Sequence, residues 1–330
     1  MEPLCKKYNR VYADGCYDIC HFGHYNFVRQ ASELGKEVYA GVHNDEVITK
    51  YKGPPVYNLS ERMMMIEACK WVTKAVPNAP FNITVEWLDQ LKCDCSIHGD
   101  DIVVNENGDS CYASVIRAGR FETVPRTKSI STTNLIGRIL RLPSLHLPNG
   151  LKQSLFKDLK RENDDFQNHI PYSTFSSSKK PKPNDKIIYC VGKFDLLHPG
   201  HISFLKKAKE LGDYLIVGVC KDDDNSIMTL HERVLNILSM KYVDDVIIKA
   251  PKIISKDQIS NIKPYIIVEG TKVNSTDEDP YKIPKEMGIY RKIDSDFPDF
   301  TKTTVINRIL NNYTTYLERN SIKEYQPCEN

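Results

Sequence analysis

Long apolar runs are absent from this 330-residue chain. No stretch approaches the ~18 consecutive apolar residues of a membrane-spanning helix, and the opening MEPLCKKYNR lacks the apolar core of a secretory signal. A cytoplasmic protein is expected, with membrane contact at most peripheral. Charge of one sign is scarce as well: 45 lysines and arginines stand against 43 acidic residues, a net of +2. The basic surplus that nucleic-acid binding draws on is missing, so the expected partner is a small molecule and not a nucleic acid. Cysteine is present, with ten residues, but metal-type spacing is not. Cys93 and Cys95 stand close, as C-D-C, with no matching pair at zinc spacing, so free thiols and no protein-bound metal are expected.

What the chain does have is a duplication. VYADGCYDICHFGHYNFVRQASELG at 11–35 aligns without a gap on IYCVGKFDLLHPGHISFLKKAKELG at 188–212, which sets Gly15, Asp18, His21 and His24 over Gly192, Asp195, His198 and His201. Farther on, NLSERMMMIEACKWVTKAV (58–76) matches TLHERVLNILSMKYVDDVI (229–247), and LIGRIL (135–140) matches VINRIL (305–310). Residues 1–140 and 186–310 therefore form two copies of one domain, joined by a linker over 141–185 and followed by a tail over 311–330. The linker holds FSSSKKPKPNDK, a Ser, Lys and Pro stretch of extended, solvated character. Leu151, Leu155, Phe156 and Leu159 share one face of a short helix within it, which suits docking on a domain better than a membrane surface.

Each copy alternates strand and helix. Apolar runs at 11–13 and 187–191 lead into helices in which Phe27, Val28, Ala31 and Leu34 recur at helical spacing, ended by Gly35 and, in the second copy, by Gly212. EVYAGVH and YLIVGVC then read as buried strands. Asn58 with Glu61, and Thr229 with Glu232, resemble reciprocal caps at the start of the next helix. Short strands at KAV and DVIIK, a helix near 85–91 and a strand at CSIHG or YIIVEG complete the pattern. The fold class is α/β: two tandem Rossmann-like domains, each a parallel sheet flanked by helices, with ligands bound beyond the carboxyl ends of the strands.

The loop DGCYDICHFGH leaves the first strand and enters the first helix. A helix N-terminus offers unpaired N–H groups and partial positive charge to a phosphate. His21 and His24 fall on one side of that first turn, with Gly23 between them removing a side chain. Lys52 in KGPP and Arg126 at the head of RTKSISTT add cations, and together the four residues suggest a polyphosphate clamp. Ser131 and Thr132 serve equally well as helix caps.

H-x-G-H after a first strand, with a later R-T-x-x-I-S-T-T, resembles the cytidylyltransferase branch of the nucleotidyltransferase superfamily. The two-copy layout, KGPPV, HGDD and AGRFETVPRTKSISTTNLIGRIL resemble, within it, the ethanolamine-phosphate cytidylyltransferases, over 8–140 and 186–310. The resemblance implies transfer from CTP to phosphoethanolamine, giving CDP-ethanolamine and pyrophosphate, with Mg²⁺ carried by the nucleotide. It implies that His21 and His24 bind the triphosphate and the developing charge, that Lys52 bridges the α-phosphate and the acceptor phosphate, and that Arg126 holds the β and γ groups. Gly15, Cys16 and Tyr17 would offer backbone donors, His98, Gly99, Asp100 and Asp101 would line the nucleoside side, and Thr127, Ser129, Ile130, Ser131 and Thr132 would close over the phosphates. Asp18 caps its loop or orients a histidine. Arg62 is a helix-surface charge or, by the family pattern, a site residue. Asp45 and Trp71 supply the anionic and aromatic character an ammonium group wants, although Trp71 also suits a core.

Two departures stand out. The family motif usually reads R-T-x-G, and Ser129 occupies the glycine position. The second copy replaces KGPP by CKDDDNSIMTL, has no counterpart of Arg126 in DSDFPDFTKTT, and carries Glu269 in place of His98. It keeps His198 and His201, so Lys193, Phe194, His198, His201, Glu269 and Gly270 outline a weakened nucleotide pocket, and the first copy is expected to be the catalytic one. Choline-phosphate or glycerol-phosphate cytidylyltransferase activity, and a catalytically inactive CTP-binding regulator, remain alternatives. A class I aminoacyl-tRNA synthetase is disfavoured by the lack of a K-M-S-K-S partner motif. The oligomeric state is open, a homodimer included.

Overall fold

The structure, a computed structural model, describes residues 6–101, 108–128, 130–142, 170–177, 179–271 and 278–324. The chain forms two compact units. The first comprises the described residues up to Leu142 together with those from Asn307 onward, and the second runs from Ile170 to Ile306.

In the first unit the order is β1 (Tyr8–Gly15), α1 (Phe22–Leu34), β2 (Gly35–Val42), α2 (Asp45–Lys52), α3 (Leu59–Glu67), β3 (Lys74–Pro77), α4 (Val85–Leu91), β4 (Cys95–Gly99), α5 (Ala113–Arg117), β5 (Phe121–Val124) and α6 (Thr132–Leu140). The five strands are parallel in the order β3-β2-β1-β4-β5. Val11, Tyr12 and Ala13 of β1 are fully buried, as a central strand covered on both faces requires. The chain builds outward from β1 in one direction, then returns to add β4 and β5 on its other side. The carboxyl ends of β1 and β4 thus flank the point where the strand order reverses, the usual place for a ligand crevice.

The second unit repeats this plan: α7 (Tyr172–Phe175), β6 (Ile187–Gly192), α8 (Pro199–Lys209), β7 (Tyr214–Val219), α9 (Leu230–Leu238), β8 (Asp245–Ile248), α10 (Lys256–Ile262), β9 (Ile266–Glu269), α11 (Lys282–Glu286) and β10 (Tyr290–Lys292). Its sheet is parallel, in the order β10-β9-β6-β7-β8. Helix α12 (Lys302–Leu310) carries the chain out of this unit, and α13 (Tyr313–Glu324) follows.

Several local expectations meet their physical causes here. The predicted capping boxes exist: Asn58 with Glu61 and Thr229 with Glu232. Gly35 ends α1 without a left-handed turn, at φ −118°, and opens β2 directly. The glycine is needed because a Cβ there would lie 2.8 Å from the Val11 methyls. Helix α1 buries Phe22, Tyr25, Val28 and Ala31, whereas Phe27 and Leu34 are only partly covered. Lys52 belongs to the last turn of α2 and not to a loop; Gly53 follows it at φ 82°. The expected tail is a helix of the first unit: α13 packs on α6, and the Asn320 side chain donates to the Thr133 carbonyl at 3.0 Å. The amphipathic stretch 151–159 lies outside the described residues.

Candidate active site

The loop from β1 to α1 holds an improbable backbone. Tyr17 and Ile19 are left-handed, at φ 51° and 43°, and so are Phe194 and Leu196 at the matching positions of the second unit, at 52° and 50°. Each such residue costs on the order of 1–3 kcal/mol, so the loop must be held from outside. The Tyr17 hydroxyl donates to the Ala13 carbonyl at 2.8 Å. The buried Asp18 carboxylate accepts the N–H groups of Val56 at 3.0 Å and Tyr57 at 2.9 Å, and the Thr132 hydroxyl donates to the Asp18 carbonyl at 2.9 Å. Asp18 is thus a loop anchor.

Arg62 has a similar task. Fully buried, it donates to the carbonyls of Cys16 (2.7 Å), His43 (2.7 Å) and Tyr57 (3.0 Å), and pairs with Asp45 at 2.6 Å. It ties three loops together and does not line the cavity described below. Asp45 is therefore spent on Arg62, and Trp71 stands away from the cavity with the Lys70 ammonium 4.7 Å from its ring centroid. The acceptor role expected for Asp45 and Trp71 is not supported by their placement, nor is direct nucleotide contact by Arg62.

His21 is the N-cap residue of α1. Its ring stacks on that of His24 with centroids 3.9 Å apart. The backbone N–H of His21 donates to Nδ1 of His24 at 3.4 Å, which assigns the His24 proton to Nε2, on the side free to donate. Neither ring nitrogen of His21 has a partner among the described residues. A Cβ at Gly23 would come within 3.0 Å of the His21 ring and of Ile130, so only glycine lets the loop close here. Burial, with the charges of Arg126 and Lys52, holds His24 down to about 3, and burial, His24 and Arg126 hold His21 well below its ordinary value. Both imidazoles are neutral N–H donors at physiological pH.

The same shifts make the fold acid-sensitive. Burial holds His201 down to about 4 and, with the neighbouring His201, lowers His198 further. An unfolded chain would protonate all four near pH 6.5, so between there and about pH 4 it binds more protons than the folded one. Stability is present above pH 6.5 and falls as pH drops, approaching about 1.4 kcal/mol per pH unit for each histidine held neutral. Melting curves from pH 7.5 to 5 should show a steady loss that His24→Gln reduces; an unchanged slope in that variant would refute the assignment.

A cavity of about 210 Å³ opens at the carboxyl ends of β1 and β4. Gly15, Cys16, Tyr17, His21, His24, Lys52, His98, Gly99, Asp101, Arg126, Thr127, Ile130, Ser131 and Thr132 line it, so most of the predicted site converges. Arg126 donates to Asp101 at 2.5 Å, and its backbone N–H donates to Asp100 at 3.0 Å. Asp100 therefore positions the arginine rather than lining the cavity. Thr127 accepts from the Asn26 amide at 2.9 Å, and Ser131 caps α6 through the Asn134 N–H. Ser129 lies outside the described residues.

Four lining residues were not among the expected site residues: Asp14, Phe27, Thr133 and Arg319. Asp14 is buried at the end of β1, where its Oδ2 accepts from the Tyr112 hydroxyl at 2.9 Å and faces His43 Nε2 at 3.4 Å. Its Oδ1 has no partner among the described residues. Burial alone would raise this carboxyl, but the His43 contact, the positive potential of His43 and His98 and the Tyr112 bond outweigh it, so Asp14 is held below its ordinary value and is ionised. A charged residue in the first strand, next to the glycine that begins the loop, was the available signal.

The second unit keeps the imidazole stack, with His198 and His201 centroids 3.8 Å apart, but sets different groups around it. Phe300 stacks on His198 at 5.4 Å, and its carbonyl would lie 2.8 Å from a Cβ at Gly200. Lys193 is paired with Asp223, Glu269 accepts from the Tyr290 hydroxyl, and Gly270 packs beside Phe204. Phe194 supplies one of the left-handed positions. Asp296, at the position equivalent to Arg126, binds Ser203 at 2.7 Å and Lys207 at 2.5 Å.

Residues 12–138 and 189–322 match the cytidylyltransferase-like family. Over 351 residues the chain is 43% identical to the ethanolamine-phosphate cytidylyltransferase of Dictyostelium discoideum, covering 97% of this chain and 95% of that one. The chain belongs to the ethanolamine-phosphate cytidylyltransferase family. The Arabidopsis thaliana enzyme is 39% identical, with 96% of this chain and 83% of that one covered, and the Mus musculus enzyme 35% identical, with 96% and 89% covered. The similarity to these cytidylyltransferases therefore runs through both copies. No helix among the described residues is long and apolar enough to cross a membrane.

Proposed function

We propose that the first copy transfers the cytidylyl group of MgCTP to phosphoethanolamine, giving CDP-ethanolamine and pyrophosphate. The observation that carries this reading is one cavity in which two neutral imidazoles at a helix start, Lys52 and Arg126 surround space for a triphosphate, and which Asp14 also lines, with one buried carboxylate oxygen that has no partner among the described residues.

A phosphate oxygen of the acceptor attacks the α-phosphorus, the bond to the bridging oxygen of the β-phosphate breaks, and pyrophosphate leaves. The reaction requires no covalent nucleophile, so positioning and charge stabilisation supply the catalysis. Neutral imidazole N–H groups of His21 and His24 donate to oxygens that gain charge as the bond to pyrophosphate lengthens. Lys52 screens the repulsion between the two phosphates that must approach. Arg126 leaves Asp101 for the β and γ groups. The magnesium ion enters with the nucleotide as part of the substrate, and among the described residues no cluster suited to holding a metal stands ready for it.

Asp14 supports the choice of acceptor. A primary ammonium can donate a charge-assisted hydrogen bond to Oδ1; a trimethylammonium has no N–H to give, and a glycerol head group has no charge. Pyrophosphate release from MgCTP should therefore proceed with phosphoethanolamine at a kcat/KM at least about tenfold above phosphocholine or glycerol phosphate, since one such bond contributes about 1.5–3 kcal/mol. Equal rates with phosphocholine would remove the acceptor assignment. Saturable CTP binding without release from any acceptor would replace the enzyme by a nucleotide-binding regulator.

A further inference from the structure

The two copies anchor the buried aspartate of their H-x-G-H loops through the same pair of backbone N–H bonds, with a different cation beside each. In the second unit the Asp195 carboxylate accepts the N–H groups of Ile227 and Met228, both at 2.9 Å, as Asp18 accepts those of Val56 and Tyr57 in the first. One cation completes the second-unit anchor: Lys302 lies 2.9 Å from Asp195 and also donates to the Asn225 carbonyl. The residue equivalent to Lys302 in the first copy is Thr132, which carries no charge. The equivalent of Asn225 is Pro54, two residues before Val56.

In the first unit that vacancy in the pattern is filled from the end of the chain. Arg319 of α13, nearly buried, donates to the Pro54 carbonyl at 3.0 Å and stands 3.7 Å from the Asp18 carboxylate. Its side chain would come within 3.2 Å of a Cβ at Gly53, so it packs directly on the turn that follows Lys52. Arg308 grips the same loop, donating to the Val56 carbonyl at 3.0 Å and to both oxygens of Glu61 at 2.6 and 2.8 Å. Arg319 also lines the cavity beside Asp18.

We infer that Arg319 is a positioning residue for the first copy's active site: the C-terminal helix supplies the cation that the second copy carries internally, and it fixes the 53–57 loop that aims Lys52. The inference rests on the catalytic reading for its kinetic part only. A chain that must run through the second unit before it returns Arg319 has a first copy whose site is complete only when the whole chain is present.

Arg319→Met in the full-length protein tests this through two readouts. Amide hydrogen exchange without substrates should speed up at least tenfold for residues 53–58 while residues 224–229 exchange as in wild type; unchanged exchange at 53–58 would overturn the inference even if the protein proved to have no turnover. In the pyrophosphate assay kcat should fall at least tenfold with KM for CTP altered less than threefold, and Arg319→Lys should recover most of it, because lysine suffices at Asp195. The effect should nearly vanish in a Lys52→Ala background, since the arginine acts through that lysine. Independent, multiplicative losses from the two substitutions, or a kcat for Arg319→Met within twofold of wild type, would sink the inference and leave the catalytic reading intact. If Arg319→Met does not fold, Arg319→Gln takes its place in both measurements, with the same outcomes.

Discussion

A chain carrying both His21→Ala and His24→Ala is expected to release pyrophosphate at least about a thousandfold more slowly, while His198→Ala with His201→Ala stays within about threefold of wild type. The first figure follows from the loss of preorganised donors, each worth about 10²–10³ in kcat where they face developing charge, with less than additive losses for groups acting as a unit. The neutrality of the imidazoles decides how they act. Held far below their ordinary pKa by burial and nearby cations, they do not attract the triphosphate as charges. They donate fixed N–H bonds that cost no reorganisation, so CTP affinity should fall far less than kcat. The second figure follows from Phe300 against His198 and from Lys193 and Asp296 being bound to other side chains. A loss shared equally between the two double variants would mean that both copies turn over or that the stacked rings are only structural.

The second large effect is expected at Asp14. Asp14→Asn keeps an oxygen for the Tyr112 hydroxyl but removes the negative charge from the cavity. Phosphoethanolamine should lose about 10- to 100-fold in kcat/KM, in line with about 1.5–3 kcal/mol for a hydrogen bond to a charged group. KM for CTP should change less than about threefold, and the already weaker turnover of phosphocholine should fall much less. A variant that loses both acceptors in the same proportion would assign Asp14 to holding β1 and Tyr112 in place, and not to acceptor choice. The substitution is tolerable for folding because the carboxylate makes few bonds: one hydroxyl and one imidazole face it, and the other oxygen has no partner among the described residues.

The duplication, the alternation of strand and helix and the H-x-G-H loop were legible in the sequence because each is local or repeated. Two histidines three apart at a strand-to-helix junction need only one turn of backbone to come together, and finding the pattern twice multiplied its weight. Capping boxes at Asn58 and Thr229 were readable for the same reason, since their partners stand three residues away. Arg62, Asp45 and Trp71 were not. Whether an arginine faces a ligand or spends its donors on carbonyls depends on three loops meeting, and sequence spacing carries no record of that meeting.

The chain by itself determined two parallel α/β copies, the helix start that bears the paired histidines, and the identities of His21, His24, Lys52 and Arg126. Tertiary structure decided the rest. It showed that one Asp14 oxygen has no partner among the described residues, that Phe300 stacks on His198, and that Arg319 of α13 stands beside Asp18. Those outcomes depend on which polar atoms run out of partners when distant segments pack. Burial and hydrogen-bond saturation are properties of the assembled fold, so a string of residues can name the candidates but cannot say which of them are already satisfied.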